Sequence, residues 1–156
     1  MPKIDPDSAP AKHGTGYPPP FDQMCIRRQR WRLGDAAGLT QFGVNLLRLP
    51  DGQWSSQRHW HTAEDEFVWV LEGEVVLVDD AGETVLRAGD CAGFPAGEPN
   101  GHHIVNRSGR EAVLLEVGSR RPGEDRAAYP DIDLAWTGEG YAHKDGTPYP
   151  PAGRRS

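Results

Sequence analysis

Apolar and polar residues alternate in short runs along the middle of the chain, and turn-forming residues interrupt the runs. The runs cover residues 40–49, 56–61, 66–71, 74–79, 83–86, 102–106 and 112–117, each of strand length. Glu72-Gly73, residues 79–82 and Ala88-Gly89-Asp90 stand where hairpin turns or tight corners are needed. Residues 67–71 read Phe-Val-Trp-Val-Leu, apolar at every position, which predicts a strand packed on both faces at the centre of the fold. No apolar stripe with helical period and helical length runs through this region. The pattern predicts an all-β sandwich or barrel built from antiparallel strands.

Composition divides the chain into a barrel region at residues 40–118 and two flanking segments, 1–39 and 119–156. Residues 1–20 hold six of the 14 prolines and end in Tyr17-Pro18-Pro19-Pro20, which suits extended backbone. From Pro122 onward proline, glycine, aspartate and tyrosine return, with Asp145-Gly146 a turn. Both segments read as proline-rich arms, yet both carry aromatics, so they are expected to lie along the domain or along a partner subunit. A homodimer is the expected assembly, because a core of about 80 residues gains from additional burial.

The wider composition narrows the field. Gly 19 and Pro 14 among 156 residues argue against a helix bundle, since each is costly inside a helix. A net charge of −6 disfavours a nucleic-acid-binding surface. The longest apolar runs are far shorter than the about 18–20 residues that span a bilayer, so no membrane partner is expected. The N-terminal residues show neither a basic nor an apolar region of the secretory kind, which makes a cytoplasmic location the expectation. Cys25 and Cys91 are too few for a disulfide framework and read as reduced thiols, Cys91 as a small packed side chain.

Four of the six histidines fall in the β-rich region, as His59-Trp60-His61 and His102-His103. With a side-chain period of two, His59 and His61 point to one face and Trp60 to the other. Glu66 opens the next strand and can add a carboxylate, and His102 comes from a third. Three imidazoles and one carboxylate form a coordination set for one divalent first-row metal, whether iron, manganese, nickel or zinc, with positions left open for a small molecule.

These residues resemble the cupin superfamily. Gly52, His59-Trp60-His61, Glu66 and Gly73 match its first motif, and Gly89, Pro95-Ala96-Gly97, His102 and Asn106 match its second. Six residues rather than five precede His59, and four rather than two separate Gly97 from His102. His102 is preferred to His103 as the ligand because the three-residue step to Asn106 is kept. The resemblance covers about half the chain and implies a small antiparallel jelly-roll barrel with its metal inside, in a build similar to that of small single-domain bacterial cupins. It brings no substrate with it.

Alternation from the ligands places Gln57 on the inward face with His59 and His61, and Val68 and Val70 on that of Glu66. The pocket is therefore expected to be apolar with few polar groups. Gln57 is one candidate for a catalytic role; His103 is another, as a proton carrier if a bulge at the nearby insertion turns it inward. Glu64, Asp65 and Glu98 read as solvated loop carboxylates. The Arg27-Arg28-Gln29-Arg30-Trp31-Arg32 cluster reads as a solvated or subunit-contacting face. Trp54, Trp60 and Trp69 read as core or interface aromatics. The expected function is that of a metal-dependent enzyme acting on a small oxygen-bearing organic molecule, of oxygenase, isomerase or lyase type. The alternative is a non-catalytic ligand-binding or sensing domain.

Overall fold

In a computed structural model of the protein, which describes residues 3–151, the apolar alternation becomes a set of short antiparallel strands. In chain order they are β1 (Ala11–His13), β2 (Gln29–Arg32), β3 (Phe42–Leu49), β4 (Trp60–His61), β5 (Glu66–Glu72), β6 (Glu74–Asp79), β7 (Gly82–Arg87), β8 (Cys91–Phe94), β9 (His103–Val105), β10 (Ala112–Ser119), β11 (Ala127–Ala128), β12 (Ala135–Trp136) and β13 (Tyr141–Ala142). A single helical turn, α1 (Leu33–Ala36), joins β2 to β3. Among the described residues no helix is long and apolar enough to cross a membrane.

The strands pair into three sheets: a six-stranded one in the order β1-β2-β3-β10-β5-β8, a three-stranded one in the order β7-β6-β9, and a four-stranded one in the order β13-β12-β11-β4. Leu47, Val70 and Leu114 from the first sheet meet Val75, Leu86 and Ile104 from the second, and these side chains form the main core. The fold is all-β as expected, but strand pairing among the described residues does not close a barrel, since β1 and β8 end the largest sheet as edges.

One row of this sheet can be followed across five strands in register: Trp31 faces Leu46, Leu46 faces Leu115, Leu115 faces Trp69, and Trp69 faces Cys91. The row lies on the outer face. Trp69 is 45% exposed, and Phe67 and Leu71 beside it are exposed as well. The expectation that residues 67–71 pack on both faces is thus corrected: only Val68 and Val70 enter the core, because only one layer lies against β5. Cys91 is exposed in the same row rather than packed. Cys25 is fully buried, and desolvation pushes its thiol up to about 11, which keeps it protonated.

The described parts of the terminal segments lie along the domain, as their aromatics predict, but partly as paired strands rather than as extended arms. β1 and β2 extend the six-stranded sheet, and β11 to β13 form a sheet with β4. A second core joins the two ends of the chain: Tyr17 and Cys25 pack with Ala127, Tyr129 and Leu134, flanked by Phe21, Trp136, Tyr141 and Tyr149. The prolines misled because they keep these segments out of long ladders, while the aromatics between them carry enough apolar area to order the backbone. Residues 1–2 and 152–156 of the expected arms lie outside the described residues.

Gly73 turns the chain from β5 into β6 with φ +85°, and a Cβ there would stand 3.1 Å from the Ala112 Cα. Both the left-handed backbone and the close approach of β10 exclude a side chain. Gly73→Ala is therefore expected to lower stability by about 1–3 kcal/mol, read as a shifted denaturant midpoint with an unchanged slope.

Candidate metal centre

Residues 53–61 cross the mouth of the core in an extended course, pinned by bridges from Trp54 to Val105 and from His59 to His102. Alternation along this course buries Gln53, Ser55, Gln57 and His59 on one side. The backbones of His59 and His102 exchange both hydrogen bonds, at 3.1 and 2.9 Å, which brings the two histidine motifs side by side. Glu66, at the start of β5, supplies the carboxylate on which they converge.

The Glu66 carboxylate contacts three imidazoles. Its Oε2 lies 2.7 Å from His102 Nε2 and 3.4 Å from His59 Nε2, and its Oε1 lies 3.4 Å from His61 Nε2. The donor atoms of His59, His61 and Glu66 all lie within 4.8 Å of one another, and His102 joins them through Glu66. The far nitrogens are held from behind: His59 Nδ1 is 2.8 Å from the Gln57 carbonyl, and His61 Nδ1 is 2.6 Å from Asp125 Oδ2. An acceptor at Nδ1 fixes the proton there and turns the Nε2 lone pair toward Glu66, as at metal-binding histidines. His102 is stacked flat on Phe94 with ring centroids 3.5 Å apart, and its buried Nδ1 has no hydrogen-bond partner among the described residues.

This donor set fits a divalent cation. Two lone pairs and a carboxylate aimed at one point call for positive charge, and without a metal a proton supplies it. Burial alone would lower the His61 pKa, but hydrogen bonds and charge from Glu66 and Asp125 outweigh it and push it up to about 9. Burial would likewise raise the Glu66 pKa, yet the imidazoles of His102, His59 and His61 hold it well below the usual carboxylate range. A second set, His61, Glu64 and Asp125, also has donor atoms within 4.8 Å of one another and uses the outer side of the same histidine.

The cluster opens on a cavity of about 440 Å³ on one side and a smaller one of about 130 Å³ on the other; His61, Glu64, Glu66 and His102 line both. The larger cavity is not the apolar pocket expected from alternation. Lys12, Arg28, Arg30, Glu116, Tyr17 and Tyr129 line it together with Val68 and Leu114, because β1, β2 and the C-terminal segment supply a polar wall that β5 alone does not reveal. The Tyr129 ring stacks on His59 with centroids 5.7 Å apart, and burial raises the pKa of Tyr129, Tyr17 and Tyr141, keeping their hydroxyls protonated.

The other residues singled out in the sequence fall as follows. Gln57 is buried, but its amide donates to the Phe21 carbonyl at 2.8 Å and it lines neither cavity. His103 points away from the cluster, its Nδ1 3.0 Å from the Ser56 carbonyl and its ring edge-on to Trp54, and burial lowers its pKa. No bulge turns it inward. Asp65 is exposed and accepts from the Ala96 amide at 2.8 Å, and exposed Glu98 edges the smaller cavity beside Trp60. Glu64 is half-buried at the junction of the two cavities rather than a solvated loop group. Of the basic cluster expected to form a solvated or subunit-contacting face, Arg27 and Arg32 are exposed, whereas Arg28 and Arg30 face inward onto the cavity.

A cupin domain family model matches residues 45–118. The chain is 49% identical to a sugar phosphate isomerase of the cupin superfamily from Silicibacter pomeroyi, over 96% of this chain and 97% of that one, with a TM-score of 0.87. A protein from Acidithiobacillus ferrooxidans with a proposed sugar phosphate isomerase activity is 30% identical over 74% of each chain, with a TM-score of 0.68. The polyketide cyclase RemF of Streptomyces resistomycificus, 21% identical with a TM-score of 0.60 over 80% of this chain and 83% of that one, shares the fold. A search of the curated proteins returned no match.

Asp125 orients His61, so Asp125→Asn is expected to weaken binding of a divalent metal by about 10–100-fold in calorimetry while the fold persists. Metal must also displace the proton that His61 holds. Affinity should therefore climb by up to about tenfold per pH unit between the ordinary 6.5 and about 9, then level off. The sign for stability is opposite: without metal, the raised His61 pKa stabilises the fold fully below 6.5, and thermal scans should show that contribution lost as pH rises through about 9.

Proposed function

Because the chain belongs to the cupin superfamily, we infer that it is a metal-dependent isomerase of small hydroxycarbonyl compounds, sugar-like molecules with adjacent carbonyl and hydroxyl groups. The observation that carries this reading is a single cavity in which the imidazole and carboxylate cluster, the Glu64 carboxylate and protonated tyrosines face one space. The similarity over almost the whole chain to a sugar phosphate isomerase favours isomerase over oxygenase or lyase chemistry.

His59, His61 and Glu66 would hold the ion, with His102 beside Glu66 as a fourth donor. A divalent ion bound there supplies Lewis-acid polarisation of the carbonyl and hydroxyl oxygens. The protein contributes orientation and proton transfer. Tyr129, kept protonated by burial, stacked on His59 and hydrogen-bonded to Tyr17 and Tyr141, faces the substrate space as a neutral hydroxyl rather than a base. Glu64 is the proton carrier of this proposal. One of its oxygens accepts the Arg121 amide at 2.8 Å, which fixes the carboxylate at the junction of the two cavities. From there it takes a proton from the hydroxyl-bearing carbon next to the carbonyl and returns it to the carbonyl carbon, while the hydroxyl proton passes to the carbonyl oxygen, which completes an aldose–ketose interconversion.

In deuterated water the metal-loaded protein should interconvert an aldose and its ketose and leave deuterium on the carbon that gains the proton. Glu64→Gln should lower kcat by about 10²–10⁴ with metal content unchanged. Turnover without deuterium incorporation would remove Glu64 from the chemistry. Full metal occupancy without turnover across such pairs would replace the enzyme with a binding or sensing domain.

A further inference from the structure

We propose that Lys12, Arg28 and Arg30 form a subsite for the phosphate group of a phosphate monoester, at the end of the large cavity away from the metal cluster. Three features place it there. The antiparallel register sets Lys12 opposite Arg30 and Arg30 opposite Leu47, a core residue, so both cations stand on the inward face of the sheet. Arg28 precedes Arg30 by two positions and is only 6% exposed. All three line the cavity that His59, His61 and Glu66 also line. A chain of ring contacts connects the two ends: the Arg28 guanidinium lies 5.8 Å from the centre of the Tyr17 ring, Tyr17 meets Tyr129 edge-to-face at 5.8 Å, and Tyr129 stacks on His59 at 5.7 Å.

The charges at this end do not balance. Glu116 takes Arg30 in a bidentate pair, through Nε at 2.7 Å and Nη2 at 3.0 Å. Arg28 spends Nε on the Gly14 carbonyl and Nη1 on that of Ser55, which orients it but neutralises nothing. Lys12 has no hydrogen bond or ion pair among the described residues, and its pKa is lowered by partial burial and by Arg28, Arg30 and Arg32. Three cations against one carboxylate leave about two positive charges, together with unspent donors at Lys12 Nζ, Arg28 Nη2 and Arg30 Nη1. A phosphate monoester carries about −1.5 to −2 at neutral pH and three acceptor oxygens, which matches that excess; a carboxylate carries half the charge. The proposal rests on the reading of this cavity as the substrate site, and it adds which end of the substrate points where.

The test uses the full-length protein as purified and inorganic phosphate as the probe, with metal content measured on the same samples. Lys12 is exposed and has no partner among the described residues, so Lys12→Gln should leave the fold and any bound metal intact and weaken phosphate binding about tenfold or more in calorimetry. Acetate should bind much more weakly than phosphate. Absence of phosphate binding to the wild-type protein would overturn the proposal, as would equal affinity in the Lys12→Gln variant, which would place phosphate on the metal or elsewhere. Acetate binding as tightly as phosphate would overturn the choice of a monoester. Phosphate binding that depends on Lys12 in protein unable to hold a metal would support the subsite while sinking the metal-dependent function, so the two readings fail separately.

Discussion

A largely desolvated carboxylate set among three imidazoles is the constraint on which the rest of the structure depends. Burial favours the neutral form of Glu66, and the imidazoles around it hold it ionised. His59, His61 and His102 stand within contact distance of it, and they come from two separate segments of the chain. The paired backbone bonds between His59 and His102 bring the two histidine segments together, and β5 carries Glu66 up to them. Asp125 then reaches in from the C-terminal segment to fix His61, its second oxygen accepting the Ala63 amide at 3.0 Å. The same arrangement that stores a proton without metal presents two nitrogen lone pairs and a carboxylate to a cation.

Around that cluster the cavity carries charge of both signs. Its histidine end carries the carboxylates Glu64 and Glu66, and Lys12, Arg28 and Arg30 line the cavity as well. Neither set belongs to the central strands alone. The strand β2 and the short β1 paired to it bring the cations, and the segment from Asp125 through Tyr141 brings the aspartate and two of the tyrosines. The terminal segments thus convert a generic β-scaffold with a metal-type cluster into a site with direction.

How far this was legible in the sequence follows from the range of the interactions. The cluster is legible because period-two alternation fixes which of His59, Trp60 and His61 share a face, because Glu66 keeps its step to Gly73, and because His102 keeps its step to Asn106. Asp125 was not, because it meets His61 across 64 positions and no local pattern reports a contact of that range. The inward turn of Arg28 and Arg30 has a signal in the sequence: alternation across Gln29 puts both arginines on one face, whereas the acidic net charge favours a solvated or subunit-contacting face. The segment 67–71 failed for the opposite reason. Its composition is apolar throughout, and composition cannot tell a strand between two layers from one with an open outer face; only the absence of a second layer over Phe67, Trp69 and Leu71 does.

The claim that His59, His61 and Glu66 together make one metal site is tested most directly by anomalous diffraction from crystals grown with a single divalent metal. The account predicts one strong peak between His59 Nε2, His61 Nε2 and the Glu66 carboxylate, with His102 beside it. A peak at His61 Nδ1, Glu64 and Asp125, or no peak within reach of Glu66, would contradict it.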